Sequence, residues 1–231
     1  MLNPIQLFLF CVNYVQGERV EAGQLSRKWT IISYFTLKMT LSLGVILVAF
    51  VELARYGDIK DCMFVIPGLM FCTVGDVTLF LSNEYDIELK EPYFSLGILS
   101  FGLAHIMFCA DLIYLAHFQF TPALLMIPAT VIGMLILSKK GVLEFGRYKA
   151  PLMCYAVLVG SFCAFGINLL LVSDMDRQVF FFGTGAMMFW FSDLSLSFRC
   201  FNKRVPDWFG TFVFTSYFLA TYAVALSLRG F

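Results

Sequence analysis

Two short stretches share a pattern that costs free energy in apolar surroundings. "GLMFCTVGD" (68–76) and "GAMMFWFSD" (185–193) each run from a glycine, through a methionine two positions on, to an aspartate eight positions on. Asp76 and Asp193 are therefore carboxylates set inside apolar segments. His105 in "SFGLAHIMF" and Lys38 in "TLKMTLSL" are ionisable groups in similar company. Two carboxylates in unlike environments can divide acid and base work between them. A lysine beside one would keep it ionised, and an imidazole could orient water or a carboxylate.

The elements that must position these residues follow from hydropathy. The chain has 231 residues, 60% hydrophobic and 14% charged, with mean hydropathy +0.81. A water-soluble domain of this size has no polar shell large enough to cover that surface, so lipid is the expected solvent. Net charge is zero, and nothing points to nucleic acid as a partner. The seven cysteines form no CxxC pair and read as small buried hydrophobes, not as a zinc or disulfide framework. No Gly-rich phosphate loop, HExxH element or Ser-His-Asp set is evident, and no cofactor is expected.

A spanning helix needs about 20 mostly apolar residues. Runs of that kind fall at 1–16, 29–51, 62–82, 92–115, 121–138, 150–172, 178–199 and 207–228. The expected fold is an all-α integral membrane protein, a single multi-pass domain over 1–231 with about eight helices. The first run is the shortest and lacks the flanks of a cleavable signal peptide. Loops 17–28, 83–91, 139–149 and 200–206 share one side. They carry Arg19, Arg27, Lys28, Lys90, Lys139, Lys140, Arg147, Lys149, Lys203 and Arg204, with Arg199 at a helix end. The other side has Arg55, Lys60, Arg177 and Arg229. The basic loops are thus expected in the cytosol.

Depth then links the ionisable residues. Asp76 and Asp193 each lie about six residues, or about 9 Å, inside the basic end of their helix. Lys38 lies about nine residues in from the same side and His105 about thirteen. A central charge costs about 2.5–3.5 kcal/mol in lipid unless it meets a partner or a wet cavity. A shared polar pocket is the expected arrangement. Stripes at spacings of three and four support it: Gly68, Cys72, Gly75, Asp76; Gly97, Phe101, His105, Cys109; and Gly185, Phe189, Ser192, Asp193. Small residues there admit a neighbouring helix closely. The two Gly-to-Asp stretches, half a chain apart on helices running the same way, fit a parallel four-helix repeat. Asp111 falls nearer the opposite face and reads as structural. His117 reads as interfacial.

At these residues the chain resembles the YhhN-like lysoplasmalogenases, multi-pass membrane enzymes that hydrolyse the vinyl ether bond of lysoplasmalogens. The likeness runs along "GLMFCTVGDVTLFLS", "YFSLGILSFGLAHIMF", "GAMMFWFSDLSLSFRCF" and "SYFLATYAVALS". It implies that Asp76 and Asp193 are the family's aspartates, His105 its histidine and Lys38 its lysine, with Tyr217 and Ala220 retained in the last helix. The chain departs from the family pattern at Met39, Phe108, Arg199, Cys200 and Thr221. Such an enzyme would take a lysophospholipid within the membrane, of the endoplasmic reticulum or of a bacterial inner membrane. Vinyl ether hydrolysis needs a proton donor and a base for water; as a coupled pair the two aspartates leave open which is which, and the assignment taken here is Asp193 as acid, Asp76 as base and His105 as orienting group. Lys38, Arg199 and Arg204 would hold the lipid phosphate, and Tyr217 would also line the substrate site. An intramembrane aspartyl protease also needs two aspartates, but its GxGD element would require glycine where Thr73 stands. A transporter or lipid-binding sensor using the same pocket is the non-enzymatic alternative. Headgroup and oligomeric state are not legible.

Overall fold

The computed structural model describes residues 24–56, 63–84, 87–116, 121–202, 204–206 and 208–228. The first apolar run and His117 lie outside these residues. The helices are α1 (Gln24–Tyr56), α2 (Val65–Glu84), α3 (Ile87–Ala116), α4 (Met126–Lys139), α5 (Lys149–Val172), α6 (Arg177–Phe201) and α7 (Trp208–Leu226). A 3-10 turn, Pro122–Leu125, leads into α4. All seven are long and apolar enough to cross a membrane, α4 when the 3-10 turn ahead of it is included (Pro122–Lys139). No strand occurs among the described residues. In hydrocarbon a helix satisfies its own backbone polar groups, and that explains the all-helical outcome.

Local chemistry sets several ends. Asp176 caps α6, its carboxylate accepting from the Val179 N–H at 2.7 Å. Past α4, Gly141 takes φ +69°. There its N–H reaches the Ser138 carbonyl and the Val142 N–H reaches the Leu137 carbonyl, the Schellman pattern that terminates a helix. The start of α3 differs from expectation. It begins at Ile87, ahead of Pro92, and tolerates the proline in its first turns at the loss of one helical hydrogen bond.

The helices pack as a ring: α1 on α2, α2 on α3, α3 on α5, α5 on α6, α6 on α7, and α7 back on α1. α4 stands outside, against α5. Exchanging α1–α2–α3 with α5–α6–α7 maps this ring onto itself, although α2 also meets α7 and α6 has no contact of like extent with α3. The outer surface is apolar, with Leu43, Leu47, Leu99, Ile132, Phe191 and Leu219 exposed. Ser42, Asp76, His105 and Asp193 are buried inside. An apolar exterior around a polar interior is the arrangement lipid demands.

Close approach depends on small residues. A Cβ on Gly166 would collide with the Ala186 side chain, and one on Gly183 would sit 2.9 Å from the Gly166 carbonyl oxygen. Gly166→Ala should therefore push α5 and α6 apart and cost about 1–3 kcal/mol. Gly133 has open space around it. Thermal unfolding in detergent should show a lower Tm for Gly166→Ala and no loss for Gly133→Ala; equal midpoints would contradict the packing.

Candidate active site

Asp76 follows the glycine of α2 that seats against α3, and its own carboxylate turns to α1 and α7. A Cβ at Gly75 would stand 2.6 Å from the Phe101 ring, and one at Gly68 would overlap Phe108. Both glycines thus receive α3 phenyl rings. Gly185 serves α6 in the same way, against Val224 of α7. These contacts fix the rotation of α2 and α6 and turn both aspartates inward, where they are 2% and 6% exposed.

Around Asp76 every neighbour is a donor. Lys38 Nζ sits 3.1 Å from Oδ1 and donates to the Asp76 backbone carbonyl at 3.2 Å. Ser42 donates to Oδ2 at 2.7 Å, and Tyr217 donates to the same oxygen at 2.9 Å. An ionised carboxylate accepts at about four lone-pair sites. Three are taken, and one remains on Oδ1.

Asp193 has different company. Tyr155 donates to Oδ2 at 2.7 Å. His105 Nε2 lies 3.3 Å from the same oxygen. His105 Nδ1 is 2.7 Å from the Phe101 carbonyl oxygen. A carbonyl only accepts, so Nδ1 carries the hydrogen. In the neutral ring Nε2 is then a bare acceptor facing a carboxylate, and the pair is compatible only with a proton held between them. Nε2 is buried, and its approach to Oδ2 does not make a well-directed hydrogen bond. Phe108, Tyr155, Phe162 and Phe189 present their rings at 70–83° to the imidazole and wall it off.

The two carboxylates belong to one site. Cys72 of α2 lies within electrostatic reach of both and touches the Tyr217 hydroxyl. Phe189 stands between His105, at 4.9 Å, and Tyr217, at 5.6 Å. The structure thus brings together Lys38, Asp76, His105, Asp193 and Tyr217. It leaves Arg199 and Arg204 exposed at the basic end. The Arg199 guanidinium lies over Gly210, and the Arg204 backbone N–H donates to Asn202. A small cleft between α4, α5 and α6 reaches Asp193 and is lined by Thr130, Met134, Tyr155, Val159 and Ser197. Among the described residues no cluster of His, Cys, Asp and Glu is disposed to hold a metal.

Ser42 and Tyr155 were missed from sequence. Ser42 could have been found four residues past Lys38, on the same helical face. Tyr155 could have been found through the repeat, since it precedes Asp193 by 38 residues, as Lys38 precedes Asp76. Asp111 has a different task. Its carboxylate accepts from the Phe64 N–H at 3.1 Å and so caps α2 from a neighbouring helix. Asp111→Ala should cost about 1–2 kcal/mol in chemical denaturation, the range for a lost helix cap, and Asp111→Asn less. An unaltered Asp111→Ala midpoint would exclude the capping role.

Fold and site define a multi-pass helical membrane protein with two buried aspartates in contrasting polar settings. The chain belongs to the YhhN family, whose family model matches residues 33–228, a family that includes lysoplasmalogenases. No curated protein and no solved structure matches it.

Proposed function

We propose that the protein is a lysoplasmalogenase-type hydrolase, cleaving 1-alkenyl-lysophospholipids to a fatty aldehyde and a glycerophospho-alcohol. The observation that carries this reading is the contrast between the aspartates: Asp76 is paired with an ammonium and two hydroxyl donors, while Asp193 meets a tyrosine hydroxyl and the bare Nε2 of His105. A vinyl ether hydrolysis needs one group of each kind. Asp193 delivers its proton to the β-carbon of the enol ether, and the α-carbon becomes an oxocarbenium ion. The Asp76 carboxylate, through its free lone pair, takes a proton from water as the water oxygen bonds to that carbon. The hemiacetal then breaks its bond to the glycerol oxygen. Its hydroxyl proton leaves as the glycerol oxygen gains one, giving aldehyde and alcohol. Asp76 holds one proton more and Asp193 one fewer, and a transfer past Tyr217 and Cys72 resets the pair. The negative charge on Asp76 also favours the cation as it forms.

The cleft at Asp193 is small, so a single-chain lipid arriving sideways from the bilayer, its reactive bond just beneath the headgroup, has to part α4 from α5 and α6 to reach the carboxyl. Arg199 and Arg204 hold the phosphate at the rim, and Tyr217 positions the base. The basic loops face the cytosol, and the membrane is that of the endoplasmic reticulum, or the inner membrane if the host is a bacterium. The test is aldehyde release by purified protein from 1-alkenyl-lysophospholipid in D2O. One deuterium should appear on the aldehyde carbon next to the carbonyl, and the saturated 1-alkyl analogue should be inert. Binding without aldehyde would sink the hydrolase reading and leave a transporter or sensor.

A further inference from the structure

The repeat makes one position directly comparable in the two halves. Lys38 of α1 and Tyr155 of α5 each precede their aspartate by 38 residues, and each contacts it. Each also sits on the helix packed against the one that carries that aspartate. One half therefore places a cation on its carboxylate where the other places a neutral hydroxyl. We infer that this Lys-for-Tyr exchange divides the labour of the site, Tyr155 being the positioning residue that leaves Asp193 with a proton to give.

The physical basis is charge balance. A buried carboxylate needs either a counter-cation or a proton. Lys38 provides the first for Asp76. For Asp193, the groups facing it are Tyr155 from α5, His105 from α3, and, within electrostatic reach, Cys72 from α2 and Tyr217 from α7. α4 contributes only the uncharged Thr130 and Met134 to the adjoining cleft. Among the described residues Asp193 has no lysine or arginine contact, so a proton held towards His105 must supply the balance. The Tyr155 hydroxyl then fixes which lone pair of Oδ2 is free for that proton, by occupying another at 2.7 Å. A lysine at this position would balance the charge by itself and release the proton to solvent.

The proposal rests on the hydrolase reading for its kinetics but not for its proton. Infrared spectra of the resting protein, without substrate, should contain the carbonyl stretch of a protonated carboxyl that Asp193→Asn lacks and Asp76→Asn retains. Tyr155→Phe should keep that band but shift its frequency, because one hydrogen bond to Oδ2 is gone. Tyr155→Lys should abolish it. With 1-alkenyl-lysophospholipid, Tyr155→Lys should lower kcat by about 100-fold or more, the scale of a lost general acid. Tyr155→Phe should lower kcat with little change in KM and displace the acid limb of the pH profile. No Asp193 band in the wild type, or a band unmoved by Tyr155→Phe, overturns the inference. So does full activity in Tyr155→Lys. Absence of aldehyde from the wild type would instead remove the hydrolase reading, and the infrared result would still decide the role of Tyr155.

Discussion

Asp193→Asn is expected to reduce aldehyde release from 1-alkenyl-lysophospholipid by about 10²–10⁴-fold, the range for loss of a positioned general acid. The substitution preserves shape. With its amide nitrogen in the place of Oδ2, it can donate to the bare Nε2 of His105 and to the Tyr155 hydroxyl oxygen, so both neighbours keep a polar contact although the Tyr155 bond reverses direction. What it cannot do is transfer a proton to carbon. The effect should fall on kcat, because the lost interaction is made only in the transition state. Asp76→Asn is also expected to be inactive, for two entangled reasons. It loses a base, and its amide can present N–H groups to the Lys38 ammonium. Asp193→Asn separates chemistry from folding, and a variant of wild-type Tm with activity within about tenfold of wild type would exclude Asp193 as the acid.

Hydropathy made the helices legible because lipid imposes a length and an apolar composition on each span. The depth of Asp76, Asp193, His105 and Lys38 was equally legible, since rise per residue is constant. Rotation was not. Whether Tyr217 faces Asp76 or the lipid depends on how Phe101 and Phe108 seat against Gly75 and Gly68, and no single helix carries that information. The outboard position of α4 was hidden for a similar reason. Its composition matches that of ring helices, and what sets it apart is that it packs mainly on α5, with a Trp190–Thr130 hydrogen bond to α6. Tyr155 stayed out of view because tyrosine is common in apolar spans; its meaning lies in the 38-residue spacing it shares with Lys38.

Lys38 shows how far pairing can redirect a reading. From sequence it was a candidate for the lipid phosphate. In the fold its ammonium is 3.1 Å from Asp76, with a side chain only 11% exposed, so a phosphate could use no more than the remaining N–H. Arg199 and Arg204, by contrast, are exposed at the basic end. The pairing also explains how α1, which packs only on α2 and α7 among the described helices, is held in register: Lys38 and Ser42 both grip Asp76 of α2.

Lys38→Met should accordingly destabilise the fold by about 3–5 kcal/mol, the cost of stranding one member of a buried ion pair. Methionine fills the space but leaves the Asp76 carboxylate with two hydroxyl donors and no cation. Lys38→Met combined with Asp76→Asn should recover most of that loss, because a neutral amide needs no counter-ion and can still accept from Ser42 and Tyr217. Equilibrium unfolding in mixed micelles measures both, and the double-mutant cycle should give a coupling well beyond the roughly 0.3–0.5 kcal/mol seen for independent sites. Activity should be lost in both variants, since neither has an ionised, lysine-paired base. Stability and activity therefore part company: the double variant is expected to be folded and inert. Additive destabilisation would mean that Lys38 is held by its surroundings and not by Asp76, and would return it to the phosphate-binding role.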